Sequence, residues 1–177
     1  HLPLFTDTLL VTAVAEAVEK NITDRVLLTP THWLGCSGHH LAFDGSLSNS
    51  FDAYCQSLEQ TVECLIGYGF NKFFFLNGHG GNTAPNSIVC RQLKAKHKNL
   101  VFGATGYFDY IPGEVLQSTM EGRSKRIQHA CEAEASLMLH LHPGLVHKDA
   151  LRDDGLSPQP DIQGLTLHFD ELSEEGS

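Results

Sequence analysis

Two rhythms of apolar positions organise this chain. Phe51, Tyr54, Cys55, Leu58, Val62, Leu65 and Ile66 recur at three- and four-residue spacing, which marks the buried stripe of an amphipathic helix. Ser50 stands where a cap belongs, and Gly67 or Gly69 where the helix stops. Phe73 to Leu76 is instead an unbroken apolar run. It is too short for a membrane span and does not alternate, so it predicts a strand covered on both faces in a parallel sheet. Leu9 to Val18 is Leu, Val and Ala with few polar interruptions, and predicts a largely buried helix from about Thr8 to Lys20, capped by Thr6 or Asp7. Arg25 to Thr29 reads as a short strand, Thr83 to His97 as a helix carrying Ile88, Val89 and Leu93, and Leu100 to Ala104 as a further strand. His129 to His142 reads as a helix with Ala130, Leu137, Met138 and Leu141 on one face. Tyr107 to Arg126 predicts no more than a loop with a short helix. After Pro143 the chain is polar and rich in Gly and Pro, and is expected to wrap the surface or join a neighbouring subunit.

Helix, strand, helix, strand, helix, strand in that order is the alternation that builds a mostly parallel sheet covered by helices. The expected fold is therefore α/β, layered, and at 177 residues a single domain over 1–177. A formal net charge of -9 argues against nucleic acid or an anionic membrane surface as partner, because both attract a basic face. It suits a cation site lined by carboxylates. No apolar run approaches the roughly 18 to 20 residues of a membrane span. The five Cys, an odd number at 36, 55, 64, 90 and 131 with no C-x-x-C spacing, are expected to be reduced, mostly buried thiols of a cytoplasmic protein.

Candidate chemistry gathers behind the Phe73–Leu76 strand, where the chain continues Asn77-Gly78-His79-Gly80-Gly81-Asn82. His79 is the one long side chain in a turn where glycines let the backbone approach a ligand, at the end of a parallel strand where ligands bind. Pro30 to Asn49 has no period, yet Trp33, Leu34, Leu41 and Phe43 give it apolar anchors. A functional loop is expected, with His39 and His40 as loop or substrate-contact residues. Glu134 shares a face with Leu137 and Met138, and an ionised carboxylate there needs pairing, hydrogen bonds or a metal. Glu132 reads as a first-turn charge facing the helix dipole. Asp7, His79, His129 and Glu134 each lie at a helix start or in a strand-to-helix loop, and His with Asp or Glu is the donor set for Zn, Mn or Fe. The plainer readings are a helix cap for Asp7, a solvent-exposed turn residue for His79, and a helix-start His bonded to a neighbour for His129. GHGG could belong to a lipase oxyanion loop, but no nucleophile elbow accompanies it.

Four segments together resemble the creatininase family. His1 to Asp7 is similar to the second half of its Glu-x-His-Gly-x-His-Leu-Pro-Leu-x-Thr-Asp signature, and His40 to Ser46 to its His-x-x-Phe-Pro-Gly-Thr loop. Asn77 to Asn82 resembles its Asn-Gly-His-Gly-Gly-Asn element, and His129 to Ser136 its His-Ala-Gly-x-x-Glu-Thr-Ser element. The resemblance implies a layered α/β/α sandwich, a homo-oligomer, often a hexamer, and a metal-dependent amidohydrolase acting on cyclic amides, formamides or related C–N bonds. It makes Asp7 the carboxylate bridging two divalent ions (Zn, Mn or Fe), His79 a ligand to one of them, and His129 the catalytic His that passes a proton to the leaving nitrogen. Gly81 stands where creatininase has a metal-binding Glu, and Glu134 is the candidate replacement. The family's first strand with its Glu and His ligands would fall just before His1, and its C-terminal end would continue past FDELSEEGS. Cys131, Ala135 and Asp44 replace a Gly, a Thr and a Pro, and the aromatic that closes over creatinine is absent. Another small cyclic amide or formamide is therefore the expected substrate. The alternative is a non-catalytic family member that binds small molecules or serves as an oligomeric structural protein.

Overall fold

The computed structural model describes residues 1–122 and 125–151. Helices α1 (Thr6–Asn21), α2 (Phe51–Gly67) and α3 (Thr83–Lys96) alternate with strands β1 (Lys72–Asn77) and β2 (Val101–Gly106); α4 (Gly113–Thr119) and α5 (Glu132–Leu141) follow. The described residues divide into two compact units, one of 7–36 and 48–110, the other of 1–6, 37–47 and the described residues from 111 to 151.

In the first unit β1 and β2 pair in parallel, with Lys72 opposite Val101 and Asn77 opposite Gly106. The crossover through α3 is the β-α-β arrangement expected of an α/β fold. Cys36, Tyr54, Leu58, Val62, Val89 and Leu93 form the core, with Phe73, Phe75 and Phe102 packed on it. Phe73 and Phe102 stack across the strands at 5.4 Å. The helical spacing from Phe51 onward is therefore real packing: Tyr54, Leu58 and Val62 are its buried positions. Ser50 caps α2 by accepting from the Ala53 N–H. Gly69 ends it at φ +96, a left-handed backbone that glycine adopts without a Cβ penalty. One buried polar pair interrupts the core. The Tyr54 hydroxyl donates to Asn86 Oδ1 at 2.9 Å, and burial holds the phenol above its ordinary range, with the Cys36 thiol adding to the effect.

Several expectations are corrected here. Among the described residues β1 is covered unevenly: α2 and α3 pack against Phe73 and Phe75, while Phe74 on the other face is 63% exposed. Arg25–Thr29 forms no strand; Val26, Leu27 and Leu28 are exposed, and no described strand pairs with them. α1 buries Leu10 and Val11, but Val18 is exposed, so only its N-terminal half is packed. All five cysteines are free, yet only Cys36 is buried. Cys64 lies on α2 away from the Tyr54, Leu58 and Val62 stripe, and faces solvent.

In the second unit Met120, Ala135, Met138 and Val146 are buried. The His147 N–H donates to the His1 carbonyl at 3.0 Å, tying the first residues to the turn after α5. The helix expected from His129 begins at Glu132 instead. Ala130 adopts φ 47, and a left-handed residue cannot continue an α-helix. Glu132 does more than face the helix dipole: its carboxylate accepts the N–H groups of Glu121 and Gly122 at 2.6 and 2.8 Å. Those two bonds hold its carboxyl below the usual range. Of the polar segment after Pro143, the described part forms two short turns, Pro143–Leu145 and Lys148–Ala150; the rest lies outside the described residues.

Candidate metal centre and proton donor

The loop after β1 is built by its asparagines. Asn77, buried at the strand's end, accepts from the His79 N–H at 3.1 Å and donates to the His79 carbonyl at 2.7 Å, so a single side chain clamps His79 from both sides. Asn82 accepts from the Cys36 N–H at 2.8 Å, fixing the loop that carries Cys36. Gly78 is required by contact: a Cβ there would lie 2.8 Å from the Asp7 carbonyl oxygen and 2.8 Å from Val11 Cβ. Gly78→Ala is expected to push α1 from β1, costing ~1–3 kcal/mol of stability and weakening metal retention; chemical denaturation and metal analysis of the variant check both.

That close approach brings Asp7 to His79. Asp7 Oδ2 lies 2.7 Å from His79 Nδ1. The other ring nitrogen, Nε2, is 3.3 Å from the Cys36 carbonyl. That carbonyl only accepts, so a hydrogen on Nε2 would be donated to it. Nδ1 either carries a hydrogen and donates it to the Asp7 carboxylate or turns its lone pair, beside the carboxylate, to a metal ion. A ligating His whose second nitrogen donates to a backbone carbonyl is the usual outer-shell arrangement of a metal site. One carboxylate and one imidazole also suit Zn, Mn or Fe, so the residues present fit a divalent ion. Burial pushes the Cys36 thiol up, with Cys55 adding to the effect, so Cys36 serves here through its backbone.

His129 lies in the turn before α5, next to Ala130 in its left-handed conformation. Its Nδ1 is 3.1 Å from Nε2 of His40, and its ring stacks on Phe43 at 6.0 Å with 11° between planes. His40 is buried, in the Gly38–His40 turn. Glu134 occupies the third position of α5, where its Oε2 accepts from the Cys131 N–H at 3.3 Å. A capping contact thus meets the requirement that the sequence raised for this carboxylate.

Of the four residues singled out from the sequence, the fold joins Asp7 to His79 and sets Glu134 at a helix cap and His129 against His40. Sequence reasoning missed Asn77 and Asn82 as the braces of the loop. Their signal was legible: an Asn on each side of a glycine-rich turn can bond the backbone that the glycines leave unsupported.

A parallel β-α-β pair with a carboxylate–imidazole pair at its carboxyl end defines an α/β protein with a candidate metal centre. The creatininase profile, described as creatinine amidohydrolase, matches residues 1–177, and the chain belongs to the creatininase family. It is 29% identical over 169 residues to a mycofactocin precursor peptide peptidase of Mycobacterium ulcerans, spanning 92% of this chain and 61% of that protein. A crystal structure of a putative creatinine amidohydrolase from Bacteroides fragilis is 26% identical, with a TM-score of 0.77 over 92% of this chain and 63% of that one. A manganese form of creatininase superposes with a TM-score of 0.81 at 24% identity, over 100% of this chain and 73% of that one. These matches establish the creatininase-type α/β fold expected from the sequence. The chain spans about 60% of the length of the curated relative it matches.

Proposed function

We propose that this protein is a metal-dependent hydrolase that cleaves a C–N bond of a carboxamide. The observation that carries the reading is the carboxylate–imidazole contact of Asp7 Oδ2 and His79 Nδ1 at 2.7 Å, with His79 Nε2 3.3 Å from the Cys36 carbonyl. Asp7 and His79 would hold divalent metal, Zn, Mn or Fe. When bound, such ions polarise the substrate carbonyl and bring the pKa of a water toward neutrality. Asp7 contributes negative charge that offsets that of the cations, and His79, held at both nitrogens, keeps its ligand atom aimed. His129, whose Nδ1 is turned to His40, would donate a proton from Nε2 to the leaving nitrogen as general acid.

The substrate proposed is a small cyclic amide or a formamide. A second reading, hydrolysis of a peptide bond, is favoured by the peptidase names of the mycobacterial relatives. Both use the same residues. The five free thiols fit a cytoplasmic setting, and exposed apolar side chains such as Leu27 and Phe74 fit a homo-oligomer, a hexamer in the family pattern; both belong to the proposal. The full-length protein, assayed with Mn or Zn against formamides, cyclic amides and short peptides, is expected to release amine. EDTA should remove that activity and added metal restore it. An equal rate in EDTA, or no release from any of the three classes, would contradict the proposal.

A further inference from the structure

The contact between two imidazoles 89 residues apart calls for its own account. Nε2 of His40 faces Nδ1 of His129 at 3.1 Å, with ring centroids 4.4 Å apart and planes at 45°. Only one hydrogen can lie between the two nitrogens, so the tautomer of one ring dictates that of the other. His40 is the rigid member. It is buried, its N–H donates to the Ser37 carbonyl at 2.9 Å and its carbonyl accepts from the Phe43 N–H at 2.9 Å. Phe43 in turn lies nearly parallel to the His129 ring, with 6.0 Å between centroids. His129 is the exposed member, on a turn whose next residue has a positive φ.

We propose that His40 is a positioning residue whose Nε2 accepts the Nδ1 hydrogen of His129 and so holds neutral His129 as the Nδ1–H tautomer, with Phe43 beside the ring. The assignment rests on the hydrolase reading for its direction. An imidazolium that delivers a proton from Nε2 keeps its hydrogen on Nδ1, which makes His129 Nδ1 the donor and His40 Nε2 the acceptor. A base or acid held in the wrong tautomer keeps its geometry and loses its chemistry. His40 acts through His129 and does not touch the reacting bond.

The test is long-range 1H–15N correlation spectroscopy of the histidine rings in the metal-free, full-length protein labelled with 15N-histidine, with His129 assigned by the signals lost in His129→Ala. Wild-type neutral His129 should show a protonated Nδ1 and a pyridine-type Nε2. His40→Leu, which cannot accept, should shift His129 toward a mixture of the two tautomers, and His40→Gln, whose side-chain amide oxygen can accept, should restore the wild-type pattern. His40→Leu should also keep its metal on elemental analysis, and its turnover should fall roughly 10- to 100-fold, as when a supporting partner is removed from a site. A neutral wild-type His129 protonated at Nε2, an unchanged tautomer in His40→Leu, or loss of metal in that variant would overturn the assignment. The wild-type spectrum decides the direction even if a variant fails to fold. Because the spectra need neither metal nor substrate, an Nδ1–H His129 in a protein without hydrolase activity would refute the hydrolase reading alone.

Discussion

His129→Ala is expected to retain metal and fold while losing ~10²–10⁴-fold in turnover, the usual contribution of a positioned general acid. The change removes an exposed ring on a turn and leaves Asp7 Oδ2 and His79 Nδ1 as they are. Stability should fall by about 1–3 kcal/mol, because the variant removes the ring that Nε2 of buried His40 bonds, while the buried side chains of α5, Ala135 and Met138, stay in place. The effect should fall on kcat with little change in KM, since a proton delivered to the leaving nitrogen acts in the transition state. Substrates whose leaving amine is already activated should suffer less. Steady-state kinetics on a pair of substrates differing in leaving-group basicity check this. An equal loss on both would count against a proton-transfer role.

Asp7→Asn is expected to have the larger effect, with metal affinity reduced by more than the roughly 10- to 100-fold seen for supporting groups and hydrolysis lost with it. Asn matches Asp in shape but carries no charge, and its carboxamide is a poor bridge between cations. Its Nδ2 can donate to a neutral Nδ1 of His79, so the pair is satisfied by a hydrogen bond with no ion present. The metal-free fold should therefore survive, because Asp7 is 41% exposed at its side chain and ion pairs at such sites are worth ~0–1 kcal/mol. A chelator-competition titration of variant and wild type separates loss of affinity from loss of folding.

How much of this was legible depended on whether each feature was local. α2 was readable from Ser50 to its glycines because cap, stripe and stop all lie within one stretch of chain. β1 and its loop were readable for the same reason, and Gly78 shows why: the close approach of Asp7 and Val11 demands the residue the sequence supplies. The coverage of β1 was not readable. An apolar run reports that a strand tends to be buried and says nothing of what is present to bury it; Phe74 is exposed because no described element lies over it. Val26 to Leu28 carry strand-forming side chains, yet a strand exists only with a partner. The start of α5 was misplaced by three residues because nothing in Ala130 announces a left-handed backbone. Glu134 looked anomalous on an apolar face until its position three residues after Cys131 proved to be that of a cap. The pairing of His40 with His129 had no local signal, since neither spacing nor periodicity connects residues so far apart. The family resemblance suggested the role proposed for His129, and the fold supplied its partner, His40.

Asp7 and His79 are proposed to face one another in order to hold a cation. Elemental analysis of full-length wild-type protein beside Asp7→Asn, both prepared without chelator and exchanged into metal-free buffer, tests this. The wild type should carry about two divalent ions per chain, as proposed from the family pattern, and the folded variant almost none. A folded wild type that stays empty after incubation with Zn, Mn and Fe, or a variant that keeps its metal and its activity, would contradict it.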